Sequence, residues 1–210
     1  MPAVTAPLPA LAPRTSPAPG GKGEKTRRRI LDAAITRFAL HGFRRTTVAD
    51  IARDAGLTPA ATYAYFESKD ALFFAAVDAD TAALVERAVD AGTGDTVREQ
   101  YWTTIAALRE NVTQHPLARR VLAGLEPNVA PQLLGLPAIE AARVALVELL
   151  VEGQATGEIR ADLDPEVFAT GLEVLVLSTL MAEIQFASED DDYTLGVVAV
   201  IDAALANPRA

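Results

Sequence analysis

Residues 30–73 read ILDAAITRFALHGFRRTTVADIARDAGLTPAATYAYFESKDALF, and the punctuation of this run decides the fold. A first helix is predicted over about Glu24 to His41, because Ile30, Leu31, Ala34, Ile35 and Phe38 recur at helical spacing, and it stops at Gly42. A short second helix follows Thr46 and Thr47, with Thr47 and Asp50 placed as a capping box and Val48, Ile51, Ala52 and Ala55 apolar. Gly56 breaks it. Thr58 offers a hydroxyl cap and Pro59 suits the first helical position, so a third helix is expected to reach about Phe66. Ser68 can cap a fourth, whose Leu72, Phe73, Ala76, Val77, Leu84, Val85 and Ala88 form one stripe.

Two short helices joined by Ala55, Gly56, Leu57 and Thr58 have the spacing of a helix-turn-helix. In such a unit the second helix enters the major groove, and the flanking residues grip phosphates and set its register. The residue types suit that task. Arg44 and Arg45 precede the unit, Thr46, Thr47 and Thr58 put hydroxyls at two helix starts, and Lys69 stands at the next helix start. Lys22, Lys25, Arg27, Arg28 and Arg29 add positive charge. A solvated charged face and core aromatics at Tyr63 and Phe66 are the plainer alternatives, with Phe66 expected in the core.

The stretch from Arg27 to Phe73 resembles the DNA-binding domain of the TetR family of bacterial transcriptional repressors, through Phe38, Gly42, Phe43, Thr46, Thr47, Ile51, Ala52, Ala55, Gly56, Tyr63, Phe66, Lys69 and Leu72. The resemblance implies a homodimer that binds a near-palindromic double-stranded DNA operator and holds a small effector in its carboxy-terminal domain. It places Thr47, Thr58, Tyr63 and Lys69 at phosphates and turns Pro59, Ala60, Ala61, Ala64 and Tyr65 to the groove. Ala60 stands where glycine is frequent and Thr62 where an apolar residue is frequent. The groove side has no Arg, Lys, Asn or Gln, the usual bidentate readers of base edges. Readout is therefore expected through thymine methyl contacts from Ala60 and Ala61, the Tyr65 hydroxyl, and DNA deformability.

Charge along the chain agrees with a division of labour. Residues 1–66 hold ten Lys/Arg and four Asp/Glu, a net of +6, whereas residues 67–210 hold nine and twenty-four, a net of −15. The overall −9 hides this split. The absence of cysteine excludes disulfides, thiolate metal sites and cysteine nucleophiles, and fits a reducing cytoplasm. Six of the thirteen prolines fall in residues 1–21, which are expected to be a flexible tail rather than a signal peptide. The most hydrophobic segment, Val167 to Phe186, carries Glu173 and Glu183, so no membrane partner is expected.

The expected fold class is all-α: a three-helix helix-turn-helix unit over residues 22–68, then a helical effector-binding and dimerisation domain over residues 69–210. Beyond Gly92 and Gly94, helices are predicted at about 96–114, 116–125, 138–156, 165–186 and 193–206. Trp102, Ile105, Leu108, Phe168, Leu172 and Met181, with Tyr101, could line an apolar pocket for an apolar or amphipathic effector. Glu173 and Glu183 read as interface-rim or solvent positions before they read as partners of a cationic effector. The last two helices are apolar on too many sides for one neighbour, which assigns Leu175, Leu177, Leu180, Ile184, Val197, Val198 and Ile201 to a dimer interface. No P-loop, dinucleotide glycine pattern, nucleophile elbow or HExxH occurs, so no enzyme and no cofactor is expected. Asp190, Asp191 and Asp192 read as an exposed acidic turn rather than a metal site. A helical adaptor remains the other rival, though it would not need a basic helix-turn-helix.

Overall fold

Gly42 takes φ 75° and ψ 169°, a backbone state that an L side chain resists, and it turns the chain at the foot of the first helix. The computed structural model describes residues 21–126, 129–186 and 192–206, and in these the sequence forms helices joined by short turns. In chain order they are α1 (Lys22–Arg45, interrupted at Gly42), α2 (Val48–Asp54), α3 (Pro59–Tyr63), α4 (Lys69–Ala91), α5 (Val97–Asn111), α6 (Pro116–Leu122), α7 (Pro137–Thr156), α8 (Pro165–Phe186) and α9 (Asp192–Leu205). The all-α architecture is thus the observed one, with α3 shorter than its predicted reach to Phe66. Most of the expected tail and the acidic turn from Ser188 to Asp191 lie outside the described residues.

The chain divides into two compact units between Ala76 and Val77, inside α4 rather than at its start. The reason is packing: Leu72, Phe73 and Ala76 are buried with the amino-terminal core. Phe73 meets Phe38 edge-on at 4.8 Å and Phe43 at 5.0 Å, and Ile30, Phe38, Ile51 and Leu72 are sealed from solvent. Each such side chain contributes roughly 1.5–3 kcal/mol by burial.

The carboxy-terminal unit is built around Tyr101, Leu150, Ile159, Leu172, Ile201 and Leu205, which tie α5, α7, α8 and α9 together. Two of its helices have no cap of their own, and α4 supplies both. Asp80 accepts from the Leu117 and Ala118 amides at the start of α6, each at 2.9 Å, and also pairs with His115 Nδ1 at 3.1 Å. Asp78 accepts from the Ala138 amide at the start of α7, at 2.9 Å. A carboxylate there satisfies orphan amide donors and meets the positive end of the helix dipole.

Beyond the exposed Glu166 in its first turn, the exposed positions Val167, Thr170, Gly171, Val174, Leu175, Ser178 and Ala182 of α8 follow helical spacing and carry no charge. Leu195, Gly196, Ala199, Val200 and Ala203 form a similar exposed stripe on α9. The most apolar 18-residue window of α8 is only 17% buried within the chain.

Candidate nucleic-acid interface and ligand cavity

The helix-turn-helix is fixed by local chemistry that the sequence announces. At the start of α2 the Asp50 amide donates to the Thr47 hydroxyl at 3.2 Å, while the Thr47 hydroxyl donates to Asp50 Oδ2 at 2.6 Å. The Thr47 hydroxyl and the Arg53 guanidinium hold the Asp50 carboxyl below the usual range. The helix ends at Gly56, φ 65°, where the Leu57 amide donates to Ala52 O at 2.8 Å and the Gly56 amide to Arg53 O at 3.0 Å. This is a Schellman closure, and it demands a left-handed residue. Thr58 then caps α3 by accepting from the Ala61 amide at 3.2 Å.

Thr62 and Phe66 turn inward, at 0% and 6% exposure, and leave Pro59, Ala60, Tyr63 and Ala64 open to solvent. Arg44, Arg45, Thr47 and Thr58 are exposed as well, while Ala61, Tyr65 and Lys69 are half-buried. Thr46 departs from its expected role. It is 2% exposed and its hydroxyl donates back to Gly42 O at 2.9 Å, so Thr47 alone caps α2 and Thr46 braces the corner. Two of the basic residues expected to add charge also have work inside the unit. Arg29 donates to Ala55 O at the end of α2, and the Arg27 guanidinium lies 5.2 Å over the Phe66 ring. Arg37 grips Asp54 through both carboxylate oxygens and holds that carboxyl below its usual range.

In the carboxy-terminal unit a cavity of about 270 Å³ lies among α4, α5, α6, α7 and α8. Ile105 and Leu108 line it as expected; Tyr101 does too. The other expected pocket residues are placed elsewhere. Leu172 is 2% exposed in the core, Phe168 packs on that core, and Met181 packs on a second cluster around Leu84 and Leu122. Trp102 donates to Asp202 at 3.0 Å and borders a smaller recess of about 100 Å³. In their stead Leu177 and Leu180, read from the sequence as interface residues, line the main cavity. Leu180 and Ile201 are 6% and 2% exposed within one chain, and Ile184 and Val197 pack on its own core clusters. Val198 borders the small recess, so of the seven expected interface residues only Leu175 stands on the exposed stripe.

Glu173 is also displaced from its expected rim position. Its side chain is 11% exposed, lines the cavity, and has its carboxyl pushed up by burial, with Arg143 Nη1 at 3.5 Å opposing that shift. Glu183 pairs with Arg109 at 3.0 Å. Periodicity could not distinguish a cavity wall from a core or an interface, because all three ask for the same apolar residues.

An exposed short helix behind a capped turn, in a small basic unit followed by a helical unit with a cavity, defines a helix-turn-helix regulator architecture. The family model for bacterial regulatory proteins of the tetR family matches residues 30–76. Over these residues the amino-terminal domain is that of the tetR regulators, and the proteins the chain resembles are regulators rather than enzymes. The probable acrEF/envCD operon repressor of Escherichia coli is 47% identical over 49 residues, 23% of this chain and 22% of that protein. The A-factor receptor protein of Streptomyces griseus is 31% identical over 176 residues, 80% of this chain and 56% of that protein. The chain therefore spans less than two thirds of either relative. The fatty acid degradation regulator FadR of Bacillus halodurans has the same fold, with a TM-score of 0.65 at 21% identity over 93% of this chain and 99% of that one.

Proposed function

We propose that the chain is a ligand-responsive repressor that binds a near-palindromic operator as a homodimer in the bacterial cytoplasm. The observation that carries this reading is the outward side of α3, which is exposed at Pro59, Ala60, Tyr63 and Ala64 and flanked by the capped helix starts at Thr47 and Thr58 and by Arg44 and Arg45. Its lack of bidentate side chains favours methyl contacts and deformability over direct hydrogen-bond readout.

Dimerisation is supported by the uncharged stripes on α8 and α9, which a second copy would cover in a four-helix packing. The cavity supplies room for an effector, and the relatives named as an operon repressor and as an A-factor receptor agree with repression and ligand response. Paired reading heads must meet successive major-groove faces roughly 34–36 Å apart, or a multiple of it. An effector that favours another separation weakens operator binding through a coupling of about 1–3 kcal/mol.

The test is operator selection from random duplexes with the full chain, followed by a salt series on the best site. Specific binding with a log–log slope of about −0.9 per phosphate contact is expected. Equal affinity for selected and scrambled duplexes overturns the reading.

A further inference from the structure

Two buried polar groups in the cavity wall have no hydrogen-bond partner from the protein. Tyr101 is 5% exposed and its hydroxyl makes no hydrogen bond; neither oxygen of Glu173 makes one either, the nearest cation being Arg143 Nη1 at 3.5 Å. Leaving such groups unsatisfied costs free energy, so each calls for a reason. Arg143 relieves Glu173 only in part: its Nη1 stays 3.5 Å away while its Nη2 pairs with Glu140 at 3.0 Å, and burial still pushes the Glu173 carboxyl up. One guanidinium is shared by two carboxylates. Of the residues lining the cavity only Arg143 and Glu173 are charged, and the remainder are mainly aliphatic.

We infer that this cavity takes an organic cation, an amine or other N–H-bearing group on an apolar body, with Glu173 as its counter-charge. The inference rests on the cavity being the effector site. The two Glu173 oxygens accept when ionised, so the missing complement there is a donor, and a positive one offsets the desolvation cost of the carboxylate, while the Tyr101 hydroxyl can accept from the same group. An anion would meet an arginine already engaged by Glu140 and would add a third carboxylate beside it. A neutral apolar molecule would leave both Glu173 oxygens bare. The volume of about 270 Å³ lies just under the roughly 300–1,000 Å³ of ligand pockets, which suits one small ring and a short chain. The Tyr101 hydroxyl offers a second polar contact.

The experiment compares 4-phenylbutylamine, 4-phenylbutan-1-ol and 4-phenylbutyrate, which share one body, by calorimetric titration into the purified full chain at neutral pH. The amine should bind at least tenfold more tightly than the other two, and Glu173→Gln should abolish that preference while melting no lower than the unmodified chain. Leu108→Trp, which fills the cavity, should remove amine binding. Equal binding of amine and alcohol, binding of none of the three, a preference retained in Glu173→Gln, or amine binding that survives Leu108→Trp overturns the inference. Operator affinity measured alongside separates the two readings. Glu173-dependent amine binding that leaves the operator complex intact sinks ligand-responsive repression alone, whereas release driven by the alcohol or the acid sinks only the cation.

Discussion

The Lys69 ammonium lies 4.2 Å from the centre of the Phe43 ring, so the first residue of α4 is tied to the corner that follows Gly42. A cation at a helix start opposes the helix dipole, and the ring compensates it from within the domain by about 0.5–2 kcal/mol. The lysine is thereby held at the start of α4 by a contact within the domain, in the place where the proposed function calls for a phosphate contact.

Lys69→Gln should reduce the salt slope of operator binding by about 0.9, the loss of one phosphate contact. Phe43→Leu keeps the charge and frees its chain, so affinity should fall with the slope unchanged. A slope unaltered by Lys69→Gln would remove Lys69 from the interface.

Gly56→Ala should destabilise the amino-terminal unit by about 1–2 kcal/mol, the cost of forcing an L residue into a left-handed state. The Arg29 guanidinium, 3.0 Å from where the new methyl would sit, must also shift and strain its bond to Ala55. Thermal melting followed by circular dichroism reads this, and an unchanged transition counts against the closure described for α2.

Acid should loosen the same unit. Asp50 and Asp54 have folded-state carboxyls below the usual range, Asp54 chiefly through Arg37. The stability they add is whole above the ordinary aspartate pKa and drains away as pH falls through the lowered folded values. Asp54→Asn should therefore be less stable at pH 7 and should converge with the parent chain in acid. Urea melts across this range test it; parallel pH profiles for the two proteins would refute it.

Glu173 has the opposite sign. Its carboxyl is raised by burial, so its charge opposes folding once pH climbs past the ordinary glutamate value, and the penalty is complete above the raised one. Glu173→Gln should melt higher at neutral pH, and this gain should vanish as pH falls below the ordinary glutamate range. A lower melting temperature at pH 7 would mean that the Arg143 pair holds α7 to α8.

Leu175→Arg on the exposed stripe should yield a folded monomer by light scattering, whereas Leu180→Arg, buried within one chain, should lose helicity outright. Folded dimers from Leu175→Arg would remove α8 from the proposed interface.

The amino-terminal unit was legible because its signals are local. Thr47 with Asp50, Gly56, Thr58 with Pro59, and Ser68, which accepts from the Ala71 amide at 3.0 Å, each act within five residues of themselves. Thr46 misled because a threonine beside a capping threonine looks like a second cap, and only the Gly42 corner shows where its hydroxyl goes. The carboxy-terminal helices were equally plain, since Gly157 and Asp164 bracket them, but the duties of their faces were not. Leu175 and Leu180 are chemically alike, and which one faces solvent depends on neighbours far away in the chain. Asp78 and Asp80 carry no local sign of their capping role for the same reason, since their helix starts lie sixty and thirty-seven residues on.

Those two aspartates set a rule for anyone wishing to exchange reading heads among such proteins. A chimera joined at Ala76 and Val77 brings both carboxylates along with the helices they terminate. A junction a few residues later would strand the first turns of α6 and α7 with bare amides, and the recipient would inherit a cavity whose walls no longer hold their shape.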